Sequence, residues 1–226
     1  MIIEALIAVT FIAAMVVMLA PDEVAGRLAA VLSLLPVVGS LYMWSGFDAT
    51  GNALMGGSVA FETKLSWLEL GGYTLNWHVG VDGIALPLVV LTTLLSTLAI
   101  VSAWTPIDDR QSQFYGLMLF MEANLLGVFT ALDFFVWFVF WEAVLVPMYF
   151  LIGVWGGPRR KYAAIKFFVY TNIASLVMFI GFMMLVIGLP VNSFGLPEIS
   201  QSLAAGELGN FFWLPADTLA LVAFAA

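Results

Sequence analysis

Apolar residues run along this chain in six long blocks: Ile2 to Ala20, Val24 to Trp44, Ile84 to Trp104, Phe114 to Leu132, Phe134 to Trp155 and Ala163 to Leu189. A helix needs about 20 such residues, at about 1.5 Å each, to cross a hydrocarbon core about 30 Å thick. Each block therefore predicts a membrane-spanning helix. A seventh run opens at Leu214 and reaches only Ala226, which predicts a helix cut before its crossing is complete. The expected fold is an all-α polytopic transmembrane bundle of six complete spans plus a truncated seventh. The first block carries Glu4 and lacks a basic leader, which favours a retained helix over a cleaved secretory signal.

The stretch from Gly46 to Gly83 is too polar and glycine-rich to span. Within it, Leu65 to Leu70 and Tyr73 to His78 partly alternate apolar with polar residues and predict a hairpin at the membrane interface. Its aromatics Trp67, Tyr73 and Trp77 are expected at headgroup level. Orientation follows from the cations. Arg27, Arg110, Arg159, Arg160, Lys161 and Lys166 lie at or just after the odd-numbered connections, and Lys64 alone on the even ones. Because Lys and Arg favour cytoplasmic loops, the N-terminus and the hairpin are expected outside the cell membrane.

Composition narrows the chemistry. Hydrophobic residues make up 63% of the chain and charged ones 10%, with a mean hydropathy of +1.06, against about 45–50% and about 25% in an ordinary soluble domain. The bilayer is thus the first partner. There is no cysteine and one histidine, His78, which excludes iron–sulfur ligation, thiol catalysis and a paired-histidine haem or zinc site. Any redox centre must lie on another chain, and no metal site is expected here. Seven basic residues are too few for a nucleic-acid face. The net charge of −8 resides mostly in loops and termini and changes little.

Against this background, intramembrane carboxyls stand out. Glu142 lies near the middle of the fifth block, where a charge costs on the order of 3 kcal/mol on the insertion scale. It must be protonated, paired or hydrated, and a cation that moved near it would make it take up and release a proton. Pro147 follows five residues later; it leaves the Ala143 carbonyl without its helical donor and predicts a kinked, hydrated backbone beside the carboxyl. Asp133 lies eleven residues after Glu122 and nine before Glu142. With the turn there, the two carboxyls sit about 16 and about 13 Å from it, at similar depth on adjacent antiparallel helices. Like charges so placed would not both ionise cheaply, so Glu122 either shares a proton or ties helices together. Lys166, early in the sixth block, either snorkels to the headgroups or faces the bundle and biases Glu142. Asp133 itself reads as the cap of the helix opening at Phe134.

Three segments carry a family resemblance: VGVDGIALPLVVLT (Val79 to Thr92), GVFTALDFFVWFVFWEAVLVPMYFLIGVWGG (Gly127 to Gly157) and YAAIKFFVYTNIASLVMFIG (Tyr162 to Gly181). The chain resembles the M-type antiporter-like subunit of respiratory complex I and its archaeal and photosynthetic relatives. It is also similar to large subunits of multisubunit Na+/H+ antiporters and of membrane-bound hydrogenases. The resemblance implies a bundle of about fourteen helices in two inverted repeats. On that pattern residues 1–83 hold two N-terminal helices and the hairpin, and residues 84–226 an incomplete first repeat. It further implies proton translocation driven by electron transfer to quinone, with quinone, flavin and iron–sulfur clusters on partner subunits of a membrane arm and no cofactor on this chain. Glu142 matches the family's fifth-helix glutamate, which pairs with a seventh-helix lysine; Lys166 matches the lysine of the K-F-F start of the sixth helix, and Glu122 an acidic position seen in many M-type members. The chain ends before the place where that pairing lysine would stand. The expectation is therefore a subunit that is incomplete alone, with a cation/proton antiporter subunit and a structural remnant of a split gene as the alternative readings.

Overall fold

The structure is a computed structural model that describes residues 1–47, 59–70 and 72–205. Six long helices occupy the six apolar blocks: α1 (Ile2–Leu19), α2 (Asp22–Ser45), α3 (Ala85–Ser102), α4 (Gln111–Thr130), α5 (Phe134–Trp155) and α6 (Arg160–Ile187). A short α7 (Leu196–Ala204) follows, and a hairpin of β1 (Ala60–Leu70) and β2 (Tyr73–Val81) lies between α2 and α3. The run from Leu214 to Ala226 lies outside the described residues.

Five of these helices, α1, α2, α3, α5 and α6, are long and apolar enough to cross a membrane. The fourth has the length, 20 residues, but buries Glu122, Asn124 and Thr130 within it and is less apolar. The reason lies in its position: α4 packs against α1, α2, α3 and α5, so its neighbours are largely protein. Lipid does not reward packing of apolar surface between helices, and close approach through small residues does that work instead. Ala13, Ala14, Ala25 and Ala29 of α1 and α2 accordingly surround Tyr115 and Leu119 of α4.

Helix starts are held by side chains from neighbouring elements. Asp82 Oδ1 accepts from the amides of Ile84 and Ala85 at 3.0 and 2.6 Å, which caps α3 and gives the V-D-G segment a structural reason. Asp22, at the start of α2, accepts from the Ser112 amide at 2.8 Å and caps α4 from outside. α6 begins at Arg160, so Arg160 and Lys161 stand in its first turn and not in the loop where the hydrophobic pattern leaves them. Cations are unfavourable at a helix N-terminus, but the Arg160 guanidinium donates to the Val154 carbonyl in the last turn of α5, where the dipole favours it.

The hairpin pairs Lys64 with His78 and Leu70 with Tyr73, and Gly72 turns it with a φ of 89°, a conformation that favours glycine. β2 is the inner strand: Leu75, Asn76, His78, Val79, Gly80 and Val81 are buried, whereas Lys64, Leu65, Trp67 and Leu68 of β1 are exposed. Of the aromatics expected at headgroup level, Trp67 stands free, but Trp77 packs edge-on against Phe140 and Tyr73 against Phe194. Those two are core contacts, because β2 is covered by α5 and by the segment before α7.

At the α4–α5 contact the Phe140 ring lies directly on Gly127, where any Cβ would enter the ring. Gly127→Val is expected to destabilise this packing by about 1–3 kcal/mol, read as a lowered melting temperature of the purified protein. Gly157→Ala, with open space around it, is expected to leave that temperature unchanged.

Candidate functional site

The break between α4 and α5 is only residues 131–133, and its backbone is paired on both sides. The Leu132 amide donates to the His78 carbonyl at 2.8 Å, the Leu196 amide to the Leu132 carbonyl at 2.8 Å, and the Phe134 amide to the Phe194 carbonyl at 2.9 Å. Asp133 is fully buried. Its Oδ1 accepts from the amides of Phe135 and Val136 at 2.9 and 3.4 Å, the cap read from the sequence, and its Oδ2 accepts from the Asn76 amide of β2 at 3.2 Å. One carboxyl thus starts α5 and fastens the hairpin to it.

Glu142 lies eight residues into α5 from Phe134, and Glu122 eight residues before the end of α4 at Thr130. At about 1.5 Å per residue both lie about 12 Å from the break, so the matching depth holds. Their surroundings differ. Glu142 Oε2 accepts from Asn172 Nδ2 of α6 at 2.9 Å, and Oε1 is buried with no hydrogen-bond partner among the described residues. Next to it, Trp141 Nε1 donates to Ser175 Oγ of α6 at 3.1 Å. Pro147 is buried in α5, which continues as α-helix through it to Trp155.

Glu122 is fully buried and neither of its oxygens has a hydrogen-bond partner among the described residues. No hydrogen bond or ion pair among them joins Glu122 to Glu142. Lys166, in the second turn of α6, is exposed and lies over the Tyr162 ring at 5.9 Å. It lines a surface groove of about 520 Å³ with Arg159, Tyr162 and Tyr170. The structure thus joins Glu142 to Asn172, and among the described residues it records no hydrogen bond or ion pair from Glu122 or Lys166 to it.

Two pairings near the hairpin were not foreseen by sequence reasoning. Buried His78 meets Glu62 through Nε2 at 2.7 Å, across the strand pair. Lys64 Nζ meets Glu198 of α7 at 2.5 Å. Burial pushes the Glu198 carboxyl up, but the hydrogen bonds from Lys64 and from its own backbone outweigh burial and hold it below its usual range. The helix α7 itself was missed, although Pro197 in its first turn and Leu196, Ile199 and Leu203 on one face are a readable signal. Among the described residues no group of His, Asp and Glu could hold a metal ion.

Asp133→Ala is expected to leave buried amides without acceptors at about 1–3 kcal/mol each. Thermal denaturation of the purified protein should register the loss, and hydrogen exchange should quicken at Asn76, Phe135 and Val136 together.

Residues 131–224 match the family model described as NADH:quinone oxidoreductase/Mrp antiporter, transmembrane. F420H2 dehydrogenase subunit M of Methanosarcina mazei is 40% identical over 142 residues, which cover 63% of this chain and 27% of that protein. NAD(P)H-quinone oxidoreductase chain 4 of a Nostoc species is 48% identical over 123 residues, 54% of this chain and 22% of that one. This chain therefore spans about a quarter of the length of these relatives. Among solved structures, a chain of respiratory complex I from Thermus thermophilus with bound NADH superposes over all of this chain and 43% of its own length, with a TM-score of 0.74 and 26% identity. With five helices long and apolar enough to cross a membrane, the molecule is thus an integral membrane protein whose residues 131–224 are similar to the NADH:quinone oxidoreductase/Mrp antiporter transmembrane family and which is similar over part of its length to F420H2 dehydrogenase subunit M and NAD(P)H-quinone oxidoreductase chain 4.

Proposed function

We propose that this chain is part of the membrane arm of a complex I-type assembly and takes part in coupling electron transfer to quinone, on partner chains, to proton movement across the cell membrane. The observation that carries the reading is Glu142: a carboxyl about 12 Å into a membrane helix, with one oxygen buried and without a hydrogen-bond partner among the described residues and the other held by a neutral amide. Such a group can hold a proton and release it when a cation approaches. It lies inside the segment that matches the family model, and the family resemblance gives it the switching role.

On this reading Glu142 is the switching carboxyl, and Glu122 and Lys166 are further proton-handling groups. Quinone, flavin and iron–sulfur clusters belong to partner subunits. Residues 1–83 form an N-terminal unit and 84–226 the beginning of an antiporter-like repeat. The distribution of Arg and Lys supports an external N-terminus. The family model is described for quinone oxidoreductases and Mrp antiporters alike, so a cation/proton antiporter subunit is the second reading. It predicts sodium-dependent proton exchange without quinone reduction.

In the assembled complex in proteoliposomes, Glu142→Gln is expected to remove most proton translocation per electron while assembly and quinone reduction persist; full coupling in that variant would overturn the assignment. Pro147→Ala returns a donor to the Ala143 carbonyl and is expected to lower proton flux several-fold, measured by the same assay. Unchanged flux would remove backbone hydration at Pro147 from the pathway.

A further inference from the structure

Among the described residues Glu142 is bound on one side only, and the group that binds it cannot titrate. Asn172 Nδ2 reaches Oε2 at 2.9 Å. One turn further along α6, buried Ser175 accepts from Trp141 Nε1 at 3.1 Å. Two adjacent residues of α5 are therefore fixed to two residues on one face of α6, so the amide is held in register with the carboxyl. The other ionisable groups on the elements packed against α5 are engaged elsewhere or form no hydrogen bond or ion pair with Glu142: His78 meets Glu62, Lys166 lies over Tyr162, and Glu122 has no hydrogen-bond partner among the described residues.

We propose that Asn172 is the positioning residue of the Glu142 carboxyl, holding Oε2 so that Oε1 is the oxygen that takes up and gives back the proton. An amide N–H can donate both to a carboxylate oxygen and, more weakly, to the carbonyl oxygen of a protonated carboxyl. The bond from Asn172 therefore survives both states when the proton sits on Oε1, and is weakened when the proton sits on Oε2, whose hydroxyl oxygen is the poorer acceptor. A lysine in this place would add a charge, and a second carboxylate would compete for the proton. Asparagine fixes the direction of exchange without altering the charge of the site. This inference rests on the switching role of Glu142 proposed above.

The test compares Asn172→Leu, Asn172→Gln and Glu142→Gln in the assembled complex in proteoliposomes, measuring protons moved per electron alongside quinone reduction and assembly. Asn172→Leu is expected to lower the proton-to-electron ratio several-fold with quinone reduction kept, and Asn172→Gln, which retains the amide, to restore most of it. If Asn172→Leu fails to assemble, Asn172→Ala, which removes the amide without bulk, is read in its place. A wild-type ratio in the variant lacking the amide, or a Gln variant as uncoupled as the Leu variant, would overturn the role of Asn172. If Glu142→Gln itself stays coupled, the switching role fails first; if Glu142→Gln uncouples and Asn172→Leu does not, only the positioning role fails.

Discussion

The Asp133 carboxylate is the interaction on which the described fold most depends. Two antiparallel membrane helices need a reversal between them, and in an environment poor in water every amide of that reversal needs a protein acceptor. Asp133 supplies acceptors for the first turn of α5 and for β2 in one stroke, while the carbonyls of His78 and Phe194 take the neighbouring amides. The reversal can therefore be as short as residues 131–133. Its shortness places the carboxyls of α4 and α5 at equal depth.

The central helix follows a related logic. α4 falls short of the apolarity with which the other five long helices could cross a membrane, although it is the helix most enclosed by protein. In water that would be a contradiction. In a bilayer the helices facing lipid must be the apolar ones, and a helix inside the bundle is free to carry Glu122, Asn124 and Thr130 where other backbone and side chains can meet them. Asn124 and Thr130 do so by bonding the carbonyls of Phe120 and Leu126 in their own helix.

Much of this was legible from residue order, because its causes are local. Length and apolarity set the helices, a carboxyl just before an apolar run marked the α5 cap, and alternation around Tyr73 to His78 marked β2. The helix α7 was missed because a nine-residue amphipathic helix leaves no trace in a search for membrane-length blocks. The early start of α6 was missed because the Val154 carbonyl that rewards Arg160 belongs to the preceding helix. Asn172 as the partner of Glu142 lies 30 residues away, and nothing in spacing alone selects it over its neighbours. For the same reason sequence gave the depth of Glu122 and Glu142 but not their direction.

The contact of Phe140 with Gly127 supplies that direction. A ring pressed onto the backbone of α4 fixes how α5 is rotated about its own axis. Glu142, two residues beyond Phe140, then points about 200° around the helix at about 100° per residue, away from α4 and toward Asn172 of α6. On α4, Glu122 stands about 140° from Gly127 and within about 20° of Tyr115, whose ring packs on Gly26 of α2. Two acids level in the membrane are thereby turned back to back. The bare backbone of Gly127, by letting the ring of Phe140 seat on it, thus sets which neighbouring helix each carboxyl faces.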